Sequence, residues 1–201
     1  PLKFNSSQIK EKMGLKDKKV VMFLGTPRPH KGLDDLLLAF KKINNENLNL
    51  VIIGTENPRE FLSGVDHSIR DRVVVFPKTP FDKLPEFLSA ADIIAVPQRR
   101  TSDSVGQMPA KLFDAMSMAK PIIATRISDI PEVLDGCGYL VDPNEPSQLA
   151  NSIEYILNHF DEARDKGHAA RERCKQRYDI HNLESGLNEL IEQVSAKKAK
   201  S

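Results

Sequence analysis

Three side chains that could hold an anion, Arg28, His30 and Lys31, lie close together in the segment Gly25-Thr26-Pro27-Arg28-Pro29-His30-Lys31-Gly32. An arginine fork and a lysine point charge are the usual pair for the oxygens of a diphosphate, and Gly32 after the lysine lets a backbone come close. A second set stands further along the chain. Ser102, Asp103, Ser104 and Gly106 are turn formers, and they lead into Pro109, whose preset φ and missing N–H suit a first helical residue. Free N–H groups and the positive end of a helix dipole attract phosphate, here around Gly106, Gln107 and Met108. Lys111 and Asp114 follow at a spacing that puts them on one helix face, where an aspartate can accept hydrogen bonds from ribose hydroxyls. Each feature also has a plainer reading: a solvated basic loop, an ordinary loop–helix–strand unit, an exposed acid paired with Lys111. His30 is either a base or a surface donor. The scattered His67, His159, His168 and His181 receive no role.

What must position these residues is an alternation of strands and helices. Lys19–Leu24, an apolar run rich in valine, reads as a strand buried on both faces. It ends in the Arg28–Lys31 loop, which its prolines keep from being helical. Leu33, Leu36, Leu37, Phe40 and Ile43 repeat at helical spacing. Leu48–Ile53 is the second strand, completing a right-handed βαβ unit. Val73–Phe76 is the third, followed by the turn Pro77-Lys78-Thr79-Pro80. Leu84, Phe87, Leu88 and Ala91 mark a helix with Pro85 in its first turns. The fourth strand, Asp92–Val96, runs into Arg99, Arg100 and the Ser102–Gly106 loop. The helix from Pro109 buries Leu112, Phe113 and Met116 and is stopped by Pro121 before a fifth strand at Ile122–Ala124. Gly138–Val141 is a sixth, and Ser147 can cap a helix carrying Leu149, Ile153, Ile156 and Leu157. Two charged helices follow, Asp161–Arg177 and Leu183–Val194. The expected architecture is α/β: a doubly wound, Rossmann-like parallel sheet of about six strands with C-terminal helices, binding ligands at the carboxyl ends of its strands. Residues 1–18 read as a linker and short helix, capped by Ser6 or Ser7 and ended by Gly14. Residues 19–160 form the binding domain and 161–201 the C-terminal helices. The start at Pro1, without Met, points to an excised part of a longer protein.

Composition narrows the function. With 29 basic and 28 acidic residues among 201, the net charge is +1, so this is not a general nucleic-acid binder and any anion site must be local. No apolar run is long enough to span a bilayer and no signal peptide precedes the first strand. Cys137 and Cys174 are too few for a disulfide framework or a zinc site, and read as packing residues in a reducing, cytoplasmic setting. No cluster has metal-ligand spacing. Neither a G-x-G-x-x-G fingerprint nor a Walker loop is present, which argues against NAD-dependent and ATPase activities.

Five segments in this order, FLGTPRPHKGLDDLLLAF, LVIIG, LPEFLSAADIIAVP, PAKLFDAMSMAKPIIATRISDIPEVL and GYLVDPNEPSQLANSI, closely resemble the C-terminal, nucleotide-sugar-binding domain of group 1 retaining glycosyltransferases. These are enzymes of two Rossmann-like domains, the GT-B architecture. The resemblance runs from about Lys19 to the last helix. It implies a G-R-x-x-x-x-K-G loop that gives an Arg and a Lys to the donor diphosphate. Gly25, Lys31 and Gly32 match it, and the family Arg falls on Thr26, with Arg28 as its substitute. Of two family glutamates separated by seven residues, the second, which holds the ribose, falls on Asp114. The first, which faces the transferred sugar, falls on Gly106 and is missing, while Pro109–Asp114 is similar to a P-x-K-L-F-E/D variant. Phe76–Thr79, with Pro77 and Lys78, resembles the base-binding edge. The expectation is the donor-binding half of an enzyme that moves a sugar, a hexosyl group, from a nucleoside diphosphate sugar to an acceptor with retained configuration. Lys31 and Arg28 would act as catalytic cations beside the leaving diphosphate, with no cofactor and no metal. The implied partners are the nucleotide-sugar donor and a missing N-terminal acceptor domain, through which any membrane contact would come, so this fragment alone would be inactive. Two alternatives stay open: a non-catalytic nucleotide-binding module, and one subunit of a two-component glycosyltransferase. An epimerase is disfavoured, because no well-placed acid–base pair is evident.

Overall fold

The computed structural model of the chain describes residues 4–180 together with Asn182, Leu187 and Ile191. The Val- and Ile-rich runs form six strands: β1 (Lys19–Leu24), β2 (Leu48–Thr55), β3 (Val73–Pro77), β4 (Ile93–Val96), β5 (Ile122–Thr125) and β6 (Tyr139–Val141). All pair in parallel, in the order β3-β2-β1-β4-β5-β6. Branched side chains suit a pleated surface covered on both sides. Along β1, Val21 and Phe23 enter a core with Leu36, Phe40 and Ile153, while Val20, Met22 and Leu24 enter a second core with Leu88, Leu112 and Ile130. Each such side chain contributes roughly 1.5–3 kcal/mol on burial, so the sheet interior dominates the stability of the domain.

Eight helices accompany the sheet among the described residues: α1 (Ser6–Lys12), α2 (Leu33–Lys42), α3 (Pro58–Ser63), α4 (Leu84–Ser89), α5 (Ala110–Ser117), α6 (Ile130–Val133), α7 (Pro146–Asn158) and α8 (Phe160–Arg177). Helices α2 and α7 cover one face and α4, α5 and α6 the other. The short α3 and α6 are additions to the sequence reading; Pro58 and Pro131 sit in their first turns, where a missing N–H costs nothing.

Three caps differ from expectation. Asn5, rather than Ser6 or Ser7, caps α1 by accepting the Gln8 N–H (3.2 Å). Helix α7 starts at Pro146, one residue before Ser147, and has no side-chain cap. Pro109 is not the first helical residue but the extended N-cap of α5 (ψ 118°). That helix also ends before Pro121, at Ser117, and the chain turns through Ala119 at φ 54°. The helix expected over Leu183–Val194 lies almost wholly outside the described residues.

Helix α8 crosses from one face of the sheet to the other. Ala163 is buried in the core under α2 and α7, whereas Ala170 is buried in the core under α4 and α5. It passes the amino-terminal edge of the sheet, where Lys19 of β1 stands 4.3 Å over the Phe160 ring and Gly167 meets the backbone of Ala119 and Lys120, just ahead of β5. A Cβ on Gly167 would lie 2.6 Å from the Ala119 carbonyl oxygen. Gly167→Ala should therefore destabilise the fold by about 1–3 kcal/mol, although alanine is the better helix former by about 1 kcal/mol. Urea unfolding reads the sign directly: a more stable variant would mean that α8 is not docked this way.

Candidate functional site

The strand order reverses between β1 and β4, and the helices that follow them, α2 and α5, go to opposite faces. The loops leaving the two strands therefore separate and open a crevice at the carboxyl edge of the sheet. Three contacts fix its base. Gly32, at φ 67°, lies so close to β4 that a Cβ would stand 1.7 Å from the Pro97 carbonyl oxygen; only glycine fits. The Arg99 N–H donates to the His30 carbonyl (3.0 Å). The Arg99 guanidinium grips the buried Asp35 of α2 through Nε and Nη2, both at 2.7 Å. That fork raises the arginine pKa further.

The crevice holds a cavity of about 460 Å³. Of the candidate binding residues the sequence singled out, Gly25, Arg28, His30, Lys31, Gln107 and Lys111 line it; Thr26 and Asp103 complete the wall. Gly32 lies beneath, and Gly106, Met108 and Asp114 are not part of the lining. A smaller hollow of about 180 Å³ adjoins it at Gly25 and Thr26, lined also by Leu24, Ile53, Leu84 and Lys78. Pro77 ends β3 on the exposed rim, and Lys78 Nζ stands 3.2 Å from Glu56. A third hollow, about 550 Å³, lies on the other side of the Thr26–Arg28 turn, but its charged lining includes Glu56 and Glu60, which would repel an anion.

Lys111 is the electrostatic centre of the cavity. Its pKa is pushed down to about 8, first by burial and then by Lys31, with Asp114 opposing. Its Nζ rests 4.8 Å over the Phe23 ring, and a Cβ on Gly25 would come within 2.6 Å of it. Lys120 is held at about 8 by the same burial, yet its ammonium donates to the carbonyls of Ser89 (2.7 Å) and Ala91 (2.8 Å). Among the described residues Lys111 has no such acceptor, nor do the side chains of Lys31 and Arg28. Burial and Arg28 also lower the Lys31 pKa. Lys31 and Lys111 are half-buried and Arg28 is exposed; uncompensated cations, above all half-buried ones, attract an anion. The His30 pKa is lowered as well, first by burial and then by Lys31, with Asp103 opposing.

The amino end of α5 is less open than the sequence suggests. The Gly106 N–H donates to Ser128 Oγ (3.0 Å), and the Gln107 N–H donates to the Ser104 carbonyl (3.2 Å). The N–H groups of Met108, Ala110 and Lys111 precede the first helical hydrogen bond, from Leu112 to Pro109 (2.9 Å), and remain for a ligand. Asp114 is half-buried one turn further on, and burial raises its pKa against the pull of Lys111. Asp103 and the stapling serines Ser104 and Ser128 were read from sequence as turn formers or not at all; no spacing rule marks a loop hydroxyl that is satisfied only by tertiary contact. Among the described residues no group of three His, Cys, Asp or Glu side chains is placed to hold a metal ion.

The state of Lys111 gives the site a pH dependence. A bound anion raises the pKa of the ammonium it touches, so binding is strongest while Lys111 is protonated and falls as pH rises above about 8. Titration with inorganic pyrophosphate between pH 7 and 9.5 should show affinity falling over that window. Lys111→Met should bind more weakly at pH 7 and lose that fall; an unchanged profile in the variant would show that Lys111 does not meet the anion.

Comparison with known proteins bears on the family and the fold. Residues 18–159 match the family described as "Glycosyl transferases group 1". A D-inositol 3-phosphate glycosyltransferase of Xylanimonas cellulosilytica is 29% identical over 158 residues, 74% of this chain and 36% of that protein. The chain spans about a third to a half of the length of the curated relatives it matches. Among solved structures, Anabaena HepE in complex with UDP superposes with a TM-score of 0.82 at 19% identity, over 94% of this chain and 52% of that one. The C-terminal domain of a glycosyl transferase group 1 family protein (LpcC) from Francisella tularensis superposes with a TM-score of 0.72 at 20% identity, over 88% of this chain and 94% of that one. With the family match running from the first strand to the end of α7, the chain belongs to the group 1 glycosyltransferases.

Proposed function

We propose that this chain is the donor-binding half of a glycosyltransferase that takes a sugar from a nucleoside diphosphate sugar and passes it to an acceptor with retained configuration. The observation that carries the reading is the cavity at the reversal of strand order, where Lys31, Lys111 and Arg28 converge without a carboxylate or carbonyl partner among the described residues. A diphosphate supplies the missing charge. The Met108, Ala110 and Lys111 N–H groups at the start of α5 add donors on the same side. The UDP complex of HepE, which shares the fold, supports a nucleotide in this crevice. The adjoining hollow between Gly25 and Lys78 suits the nucleoside, with Pro77 and Lys78 at the base and Asp114 reaching the ribose.

The chemistry follows from the charges. As the bond between the sugar carbon and the diphosphate oxygen breaks, negative charge grows on the leaving oxygen. Lys31, Arg28 and Lys111 are already in place to stabilise it, so little reorganisation is needed in the transition state. The acceptor and the wall that would exclude water lie beyond this chain, in keeping with its share of its relatives' length.

Titration calorimetry with a panel of nucleoside diphosphates should give binding by this chain, with a dissociation constant between about 10 µM and 1 mM. Lys31→Ala in the full-length enzyme should lower turnover by about 10²-fold or more while leaving the unfolding midpoint unchanged. Binding by no nucleotide would overturn the donor reading; turnover within a few-fold of the parent would remove Lys31 from the chemistry. Asp114→Asn should weaken nucleoside diphosphate binding by roughly 1–3 kcal/mol, and equal affinities would leave Asp114 as a helix-surface acid.

A further inference from the structure

The donor cavity contains one acid. Among its lining residues Arg28, Lys31 and Lys111 are cations, His30 is a potential donor, and Asp103 is the sole carboxylate. Resting on the donor reading above, we propose that Asp103 determines donor specificity by accepting hydrogen bonds from hydroxyl groups of the transferred sugar.

Two observations carry this. The first is electrostatic. A diphosphate held by Lys31 and Lys111 repels a carboxylate, so Asp103 cannot serve the phosphates. The part of the ligand it can meet favourably is the uncharged, hydroxyl-bearing part, because a carboxylate only accepts hydrogen bonds and hydroxyls donate them. Its side chain is 73% exposed; among the described residues no hydrogen bond holds its carboxylate, and its ion-pair partner, His30 Nδ1 at 3.9 Å, is beyond hydrogen-bond reach. Both carboxylate oxygens are therefore open to a ligand.

The second is positional. Asp103 stands on a loop but is not left to wander, since the next residue, Ser104, is fully buried. Ser104 Oγ donates to the Arg99 carbonyl (2.5 Å) and accepts the Thr101 N–H (2.8 Å). Ser128 Oγ donates to the Ser104 carbonyl (3.2 Å) while accepting the Gly106 N–H (3.0 Å). Arg99 is itself clamped to Asp35. An exposed carboxylate on a loop stapled from beneath is suited to select among ligands, because its geometry is set before they arrive.

The test compares a nucleotide with its own sugar derivative. The parent chain, Asp103→Ala, Asp103→Asn and Asp103→Glu are titrated with UDP and UDP-glucose, and with ADP and ADP-glucose or GDP and GDP-mannose where UDP does not bind. The parent should bind the sugar derivative more tightly than the free diphosphate. In Asp103→Ala and Asp103→Asn the affinity for the sugar derivative should fall about tenfold, while that for the free diphosphate holds or rises, since a like charge has been removed. Asp103→Glu should recover part of the loss. A loop damaged by the substitution would weaken both ligands alike, so parallel changes overturn the proposal, as does an unchanged ratio. If the parent binds no nucleotide, the donor reading falls and this inference falls with it; if it binds and the ratio does not move, only this inference falls.

Discussion

Everything at the carboxyl edge depends on how closely two loops approach at the point where the sheet changes direction. Gly32 lies against the Pro97 carbonyl at a distance that no side chain tolerates, and Arg99 bridges the same gap to Asp35 with two charged hydrogen bonds. A partly buried pair of this kind contributes little net stability compared with an apolar pair, but removing Arg99 would leave the buried Asp35 carboxylate unpaired, at a cost of about 1–3 kcal/mol. Its value here is geometric. It sets the spacing between the loop that carries Arg28 and Lys31 and the loop that carries Asp103, and hence the width of the cavity between them.

The cations of that cavity are held at a disadvantage to the fold. Lys111 is pushed down to about 8 by burial over Phe23 and by its like-charged neighbour. Between that value and the ordinary lysine pKa the unfolded chain binds more protons at this position than the folded one, so folding is disfavoured at neutral pH relative to alkaline pH. Lys120 shows the alternative, an equally buried lysine whose ammonium is satisfied by two carbonyls. The contrast separates a lysine whose ammonium the fold satisfies from one that it leaves without an acceptor among the described residues.

The strands were legible because nearly every apolar residue in them is buried on one face or the other, so composition alone marks them; β1 and β2 needed no pattern beyond a short run of apolar residues. The Gly25–Gly32 loop and the Lys111 helix were legible for a related reason, since prolines and glycines punctuate both. Caps were less so. Asn5, Ser6 and Ser7 are all competent N-caps, and only the path of the chain into α1 selects Asn5. The Gly106 and Gln107 amides read as free donors because a local sequence cannot show that Ser128, on the loop after β5, reaches back to take one of them. Asp103 went unweighted for a similar reason: the role proposed for it depends on which charges stand across the cavity, and those come from a loop distant in sequence.

Helix α8 has a bearing on where this domain can be cut. The family match stops at residue 159, just before α8 begins at Phe160. Yet Ala163 and Ala170 of that helix are buried in opposite cores, and Arg173 donates to the carbonyls of Val133 and Asp135 beyond the far face. A fragment trimmed to the matched residues would open both hydrophobic layers at once. The boundary of sequence similarity and the boundary of the cooperative unit are thus different places, and expression of a minimal domain should follow the second.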